Sequence, residues 1–108
     1  MRIENLCREC GFRAHYRGYR QLIDCIQIAL EDEERLMYVT GICYEVSLKY
    51  NVSTSGVERN IRTLIKKSWE EDEGKLLGTV LETKIDQKPT ASKLIEMFVY
   101  YLKHHKEK

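Results

Sequence analysis

The sequence predicts an all-α fold, a compact six-helix domain that contains a helix-turn-helix. One proline and six glycines in 108 residues leave few turn formers for a β fold, while Leu, Ile, Lys and Glu, which favour helices, are frequent. Apolar residues recur at three- and four-residue spacings, as they do on one face of a helix. The length suits a single domain, residues 1–108, with one hydrophobic core.

Two helices are predicted in the first third of the chain. Residues 2–10 form a short amphipathic helix that stops at Gly11, because glycine readily takes the backbone conformation that ends a helix. A loop through Arg13 and His15 leads to a long helix from about Gly18 to Asp32, whose apolar stripe faces the core.

A helix-turn-helix is predicted at about residues 41–69. Ile42, Val46 and Tyr50 lie four residues apart and share one face of its first helix. Asn51 tolerates a left-handed backbone at a sharp turn, and Val52 is expected to tuck under that turn. Ser53 or Thr54 then caps the second helix, because a hydroxyl oxygen can accept from its free backbone N–H groups.

The second helix, at about 54–68, has one apolar face and one polar, basic face. In a DNA-binding helix-turn-helix this helix enters the major groove with its N-terminal residues at the base edges. Arg59 is placed to donate two hydrogen bonds to guanine, and Glu58 to accept from cytosine. The residues expected at phosphates or bases are Arg62, Lys66 and Lys67, with Thr54 at the helix start. A solvated surface helix can carry the same residues, so the pattern alone leaves both interpretations open.

The last part of the chain predicts a turn, a short helix, a loop and a final helix. Trp69 closes the second helix of the motif against the core, and residues 70–74 form the turn. A short helix near Lys75–Leu81 precedes an exposed loop at 82–88. Thr90 or Ser92 caps the final helix, and the tail at 103–108 is expected to fray. The apolar residues expected to pack from this last helix are Leu94, Ile95, Phe98, Val99 and Leu102.

Charge is segregated along the chain although the formal net charge is only +1. Positions 49–67 hold five Lys and Arg residues against Glu58 alone, and positions 1–20 hold five Arg against two Glu. Acidic runs at 31–34 and 70–73 offset them. One face can therefore attract DNA although the average is near neutral, because salt screens charges beyond about 8–10 Å.

Other classes of protein receive no support from the sequence. No apolar run of membrane-spanning length and no signal peptide occurs, so a cytoplasmic protein with reduced cysteines is expected. Cys7 and Cys10 form a C-x-x-C near His15, but Cys25 and Cys43 lie in apolar helical patterns, so buried thiols are favoured over a metal site. No cofactor motif and no nucleophile beside a base is found, so the chain is not expected to be an enzyme. His15 is interpreted as a packed structural residue.

Three segments together resemble a known family. They are G-F-R-A-H-Y-R-G-Y (11–19), K-Y-N-V-S-T-S-G-V-E-R-N-I-R (49–62) running on to Trp69, and K-P-T-A-S (88–92). In this order they are similar to the C-terminal effector domain of the sporulation response regulator family Spo0A. The resemblance covers about Gly11 to Leu102.

The resemblance implies a six-helix domain that binds short promoter boxes and regulates transcription. In the family an S-R-V-E-R segment supplies base contacts, which carries over to Ser55, Glu58 and Arg59, with Arg62 one turn further. Gly56 stands where the family has arginine, and one bidentate contact is worth about 1–3 kcal/mol of base discrimination. A shifted box or less selective binding is therefore expected.

The resemblance also implies binding partners and bears on an alternative function. Double-stranded DNA is the implied partner, with an RNA polymerase sigma factor and a second copy on tandem sites as further ones. The family's receiver domain does not fit in 108 residues, so the chain is either an excised domain or a stand-alone paralogue. The alternative function is a degenerate paralogue that acts as a protein-interaction module on a full-length regulator or on polymerase.

Overall fold

The computed structural model describes residues 2–105, and its regular secondary structure in that range is entirely helical. Its elements are α1 (Arg2–Glu9), α2 (Arg17–Glu31), a 3₁₀ helix (Glu33–Tyr38), α3 (Val39–Tyr50), α4 (Thr54–Asp72), α5 (Lys75–Leu81) and α6 (Ala91–His104). Six α-helices without a strand in the described range confirm the predicted fold class. The radius of gyration of 12.8 Å matches the roughly 13 Å of a compact domain of this length.

Local side chains and backbone conformations fix the predicted helix ends. Gly11 has a φ of +92°, which only glycine adopts readily, and it follows α1 as expected. Of the alternative caps, Ser53 accepts from the backbone N–H of Gly56 and Thr90 accepts from that of Lys93. Each cap satisfies one N–H of a first helical turn that has no partner within its own helix.

The core forms around α2, which packs against α1, α3, α4 and α6. Tyr19 and Leu22 of α2 are almost completely buried, as are the residues that face them from the other helices. All five apolar residues predicted to pack from α6 are buried. The largest side chains with at most 1% exposure are Tyr19, Leu22, Ile26, Ile42, Ile61, Leu64, Leu94, Ile95 and Phe98.

Helix α4 is longer than the sequence predicts. It continues to Asp72 instead of ending near residue 68, so the turn contains only Glu73 and Gly74, both with left-handed backbones. The Asp72 carboxylate accepts from the N–H groups of Gly74 and Leu76, both at 3.0 Å, and so caps the start of α5. Trp69 is half-buried rather than part of the core, and its ring lies against Gly74.

Helix α6 extends into the predicted tail of the chain. Helix α6 includes Lys103, whose ammonium group lies 2.8 Å from the Glu33 carboxylate, and His104. His105 stacks on Tyr101 with ring centroids 4.2 Å apart. The first two residues of the predicted frayed tail, 103 and 104, thus belong to α6, and 106–108 lie outside the described residues.

Candidate nucleic-acid interface

A three-residue turn, 51–53, joins α3 to α4. Asn51 has the predicted left-handed backbone, with a φ of 55°. The N–H of Val52 donates to the Ser47 carbonyl at 3.1 Å, and the Ser53 hydroxyl accepts from the Gly56 N–H at 2.9 Å. Val52 is not tucked under the turn, since its side chain is exposed. The backbone and the cap together fix where α4 begins relative to α3.

Helix α4 separates a packing face from an outward face. Its buried residues are Val57, Ile61, Leu64 and Ile65, the four that the apolar spacing predicts. Ser55, Arg59, Arg62 and Lys66 follow one another at spacings of four, three and four residues and are all exposed. Because such spacings place side chains along one side of a helix, these four residues form a single row, termed here the outer stripe of α4.

Helix α2 fixes how α4 is rotated about its own axis. The Cα of Gly18 lies directly against the α4 backbone, where an added Cβ would be 2.2 Å from the Asn60 carbonyl oxygen. Asn60 also donates through Nδ2 to Oε1 of Gln21 at 3.1 Å, and Gln21 is only 3% exposed. The outer stripe therefore projects from a helix that two neighbours hold in place.

The three cations of the outer stripe have no partners in the described part of the chain. No carboxylate lies within ion-pair distance of Arg59, Arg62 or Lys66, and no hydrogen bond engages their side chains. Four other arginines each pair with a glutamate, namely Arg8, Arg13, Arg20 and Arg35. The charge of the stripe is therefore uncompensated by neighbouring carboxylates.

The remaining predicted residues lie beside the stripe rather than on it. Thr54 is half-buried, and Lys67 lies 3.9 Å from the Glu70 carboxylate, one turn further along α4. Glu58 is half-buried and lies toward α3. Cys43 belongs to α3. A hydrogen bond with Cys25 lowers the pKa of Cys43, whereas burial and the negative charge of Glu58 act to raise it. Glu58 is thus less available to an outside partner than Arg59.

Gly56 occupies an open place at the start of α4. An added Cβ would lie 3.1 Å from the Ser53 hydroxyl oxygen and 3.8 Å from the Val52 Cβ. Its φ is not in the left-handed region. A side chain therefore fits here after a shift of a few tenths of an ångström, so the missing arginine is not excluded by the fold.

The segment 11–19 contains one further exposed cation, Arg17, to which the sequence analysis assigns no role. Arg17 is exposed and has no ion pair among the described residues, and it directly precedes Gly18 at the α4 contact. In the sequence, the contact between α2 and α4 is indicated by Gly18 followed by the buried Tyr19. His15, expected to be packed, is instead exposed, and its ring lies tilted against that of Tyr16 with the centroids 4.3 Å apart.

All four cysteines are reduced and buried, as the sequence predicts. Burial raises the pKa of Cys7, and it raises the pKa of Cys10 to about 12. The hydrogen bond to Cys43, together with burial, raises the pKa of Cys25. A buried thiol with a raised pKa stays protonated and is a poor nucleophile and a poor metal ligand, so Cys7, Cys10 and Cys25 act as small apolar residues.

None of the helices in the described range combines the length and the apolar character that a membrane crossing requires.

Residues 3–102 match the family model of the sporulation initiation factor Spo0A C terminal. The match covers almost the whole chain, including the turn, α4 and the segment around Gly18. It agrees with the all-helical architecture, and the family is one of DNA-binding effector domains. The chain therefore belongs to the Spo0A C-terminal domain family.

Proposed function

We propose that this chain is a DNA-binding transcription regulator in which α3, the turn and α4 act as a helix-turn-helix. In this proposal α4 is the recognition helix and lies in the major groove. The observation that carries it is the outer stripe, whose three cations have no ion-pair partner among residues 2–105 and lie on a helix whose opposite face is anchored in the core. Uncompensated cations in a row suit the phosphates and guanine edges of DNA.

Each side chain has a proposed role. Arg59 donates two hydrogen bonds to guanine, and Ser55 and Glu58 contact neighbouring base edges. Arg62 and Lys66 bind phosphates or a base edge, and Lys67 and Thr54 do so at the margins of the stripe. Glu58 is the least exposed of the base-reading residues, so its contribution requires the DNA to approach from the α3 side.

DNA titrations monitored by fluorescence anisotropy test this proposal directly. The wild-type protein is titrated against a labelled promoter duplex and a scrambled duplex of the same length, at 50 and 200 mM salt. If Arg62, Lys66 and Lys67 neutralise three phosphates, affinity falls about 40-fold between the two salt concentrations. A folded protein that binds neither duplex at the lower salt contradicts the proposal.

Three variants separate base contacts from phosphate contacts. Arg59→Ala is expected to reduce the preference for the promoter duplex by about 5- to 150-fold, the equivalent of about 1–3 kcal/mol. Lys66→Ala is expected to weaken binding to both duplexes equally and to reduce the salt slope by about one. Lys93→Ala is the control, because Lys93 lies on α6 and pairs with Glu96.

The alternative proposal is a protein-interaction module that has lost selective DNA binding. Gly56 supports it, because no side chain at that position reaches toward a base. In that case Arg59→Ala leaves partner binding intact, and the wild-type protein does not distinguish the two duplexes. Sigma-factor contact and the occupation of tandem sites by two copies are further proposals that only the family resemblance supports.

A further inference from the structure

Five large apolar side chains are exposed on the outer side of α3 and at its two ends, two from the preceding 3₁₀ helix, two from α3 itself and one from the turn that follows it. They are Met37, Tyr38, Tyr44, Leu48 and Val52, and their exposed fractions range from 39% for Val52 to 90% for Met37. Gly41 makes the row continuous, since its missing side chain allows the Tyr38 ring to lie against α3, with Cδ2 at 3.0 Å from the place of a Cβ. This set of five residues is termed here the α3 row.

The α3 row lies opposite the face by which α3 joins the core. Ile42, Cys43 and Val46 are buried on that inner face, while Tyr44 and Leu48 point away from it. Helix α3 is therefore apolar on both sides. Helices with apolar residues all round are normally buried, so the outer side of α3 has the character of a contact surface.

The size of the row supports the same interpretation. Its exposed side chains add up to roughly 500 Å² of apolar surface, at the upper end of what monomeric proteins leave in contact with water. Stable dimers bury about 800 Å² on each partner. A row of this size is therefore expected to give a weak, reversible association.

Charge at the two ends of the row identifies the partner. Next to Met37 lies the acidic run 31–34, in which Glu34 has no ion pair within the described residues. Next to Val52 lies Lys49, whose side chain remains 63% exposed although its ammonium group is 3.1 Å from Asp24. Two copies packed antiparallel about a two-fold axis bring the acidic end of one row onto Lys49 of the other, at both ends. A uniformly acidic or basic partner meets a like charge at one end.

We propose that the α3 row is the interface of a weak, two-fold homodimer with antiparallel α3 helices. The interface is self-complementary, because the same residues contribute from both copies. The dimer is a property of the free protein. It goes beyond the proposed DNA binding and does not depend on it.

Sedimentation equilibrium without DNA, from 1 µM to 1 mM protein, tests the dimer. The wild-type protein is expected to change from monomer to dimer within this range, with a dissociation constant on the order of tens to hundreds of micromolar. Leu48→Lys, which places a cation in the middle of the row, is expected to raise that constant at least tenfold. Tyr100→Lys is the matched control, because Tyr100 is 63% exposed but lies on α6.

Circular dichroism confirms that both variants are folded before they are compared. A wild-type protein that stays monomeric up to 1 mM overturns the proposal. Equal dimerisation of Leu48→Lys and wild type overturns it too, as does an equal loss in Leu48→Lys and Tyr100→Lys.

Charge exchange tests the antiparallel arrangement separately. Glu34→Lys and Lys49→Glu are each expected to weaken the dimer several-fold, because each brings like charges together at both ends. The double variant restores opposite charges and is expected to recover most of the wild-type affinity. A double variant that is weaker than either single variant rejects the antiparallel pairing.

Discussion

Replacing Gly18 by alanine tests how α2 holds α4. The added Cβ would lie 2.2 Å from the carbonyl oxygen of Asn60 and 2.7 Å from its carbonyl carbon. Both atoms belong to the backbone of α4, so no side-chain rotation can relieve the overlap. The two helices must separate by roughly 1 Å to restore ordinary contact distances in a close-packed interior.

The expected loss of stability follows from three contributions. Forced separation of packed helices costs about 1–3 kcal/mol. The Asn60–Gln21 hydrogen bond, at 3.1 Å, lengthens beyond its useful range, and an unsatisfied buried Gln21 costs about 1–3 kcal/mol. Alanine returns about 0.5–1 kcal/mol relative to glycine within a helix. The net decrease in the free energy of unfolding is therefore about 1–5 kcal/mol.

Thermal and urea unfolding, followed by circular dichroism, measure this loss. A decrease of that size lowers Tm by roughly 5–25 °C for a domain of this length. Gly41→Ala is the matched control in another helix, because its Cβ would meet only the exposed ring of Tyr38, at 3.0 Å. That control is expected to be unchanged or up to about 1 kcal/mol more stable. A Gly18→Ala protein within about 0.5 kcal/mol of wild type refutes the close-contact argument.

Three further predictions concern the start of α4 and one surface ion pair. Gly56→Arg is expected to tighten promoter binding about 5- to 150-fold by adding one bidentate contact, measured by anisotropy; unchanged affinity contradicts the proposed orientation of α4. Ser53→Ala is expected to lower the free energy of unfolding by about 0.5–2 kcal/mol through loss of the cap, while Ser92→Ala, which removes no cap bond, leaves it unchanged. The hydrogen bond from Arg13 lowers the pKa of Glu71 in the folded protein. This pair therefore stabilises the fold at pH values above the unfolded carboxyl pKa of about 4.3. The stabilisation is lost as the pH falls through the lower pKa of the folded state. Wild type is accordingly expected to be more stable than Glu71→Gln in urea at pH 7 and equal to it at pH 2; a difference that persists at pH 2 contradicts the assignment.

Local signals made most of the helix ends predictable. Gly11, Asn51 and Thr90 act through their own backbone conformation or through N–H groups three residues away, so short sequence windows contain the relevant information. The end of α4 was predicted too early, because acidic residues are unfavourable in the last turn of a helix. Contacts outside this last turn offset that cost. Arg13, in the loop between α1 and α2, binds Glu71, and Asp72 caps the following helix.

The candidate site was predictable in its spacing but not in its electrostatic state. The row of Ser55, Arg59, Arg62 and Lys66 follows from helical periodicity. Which arginines stay unpaired depends on contacts between residues distant in the chain, such as the 3.2 Å pair between Arg20 and Glu4. The inward position of Glu58 likewise depends on where α3 packs, which periodicity within α4 does not determine.

The division of α4 into an anchored face and an outer stripe has a consequence for how this protein can change over time. Substitutions on an exposed face usually alter the free energy of unfolding by less than about 0.5 kcal/mol. Residues of the outer stripe can therefore be substituted one at a time, while Gly18, Gln21 and the buried residues of α4 keep the fold stable. Gly56 lies beside the cap of α4, where an added Cβ requires a shift of only a few tenths of an ångström at the Ser53 hydroxyl. Selectivity and stability are thus separately adjustable in this domain.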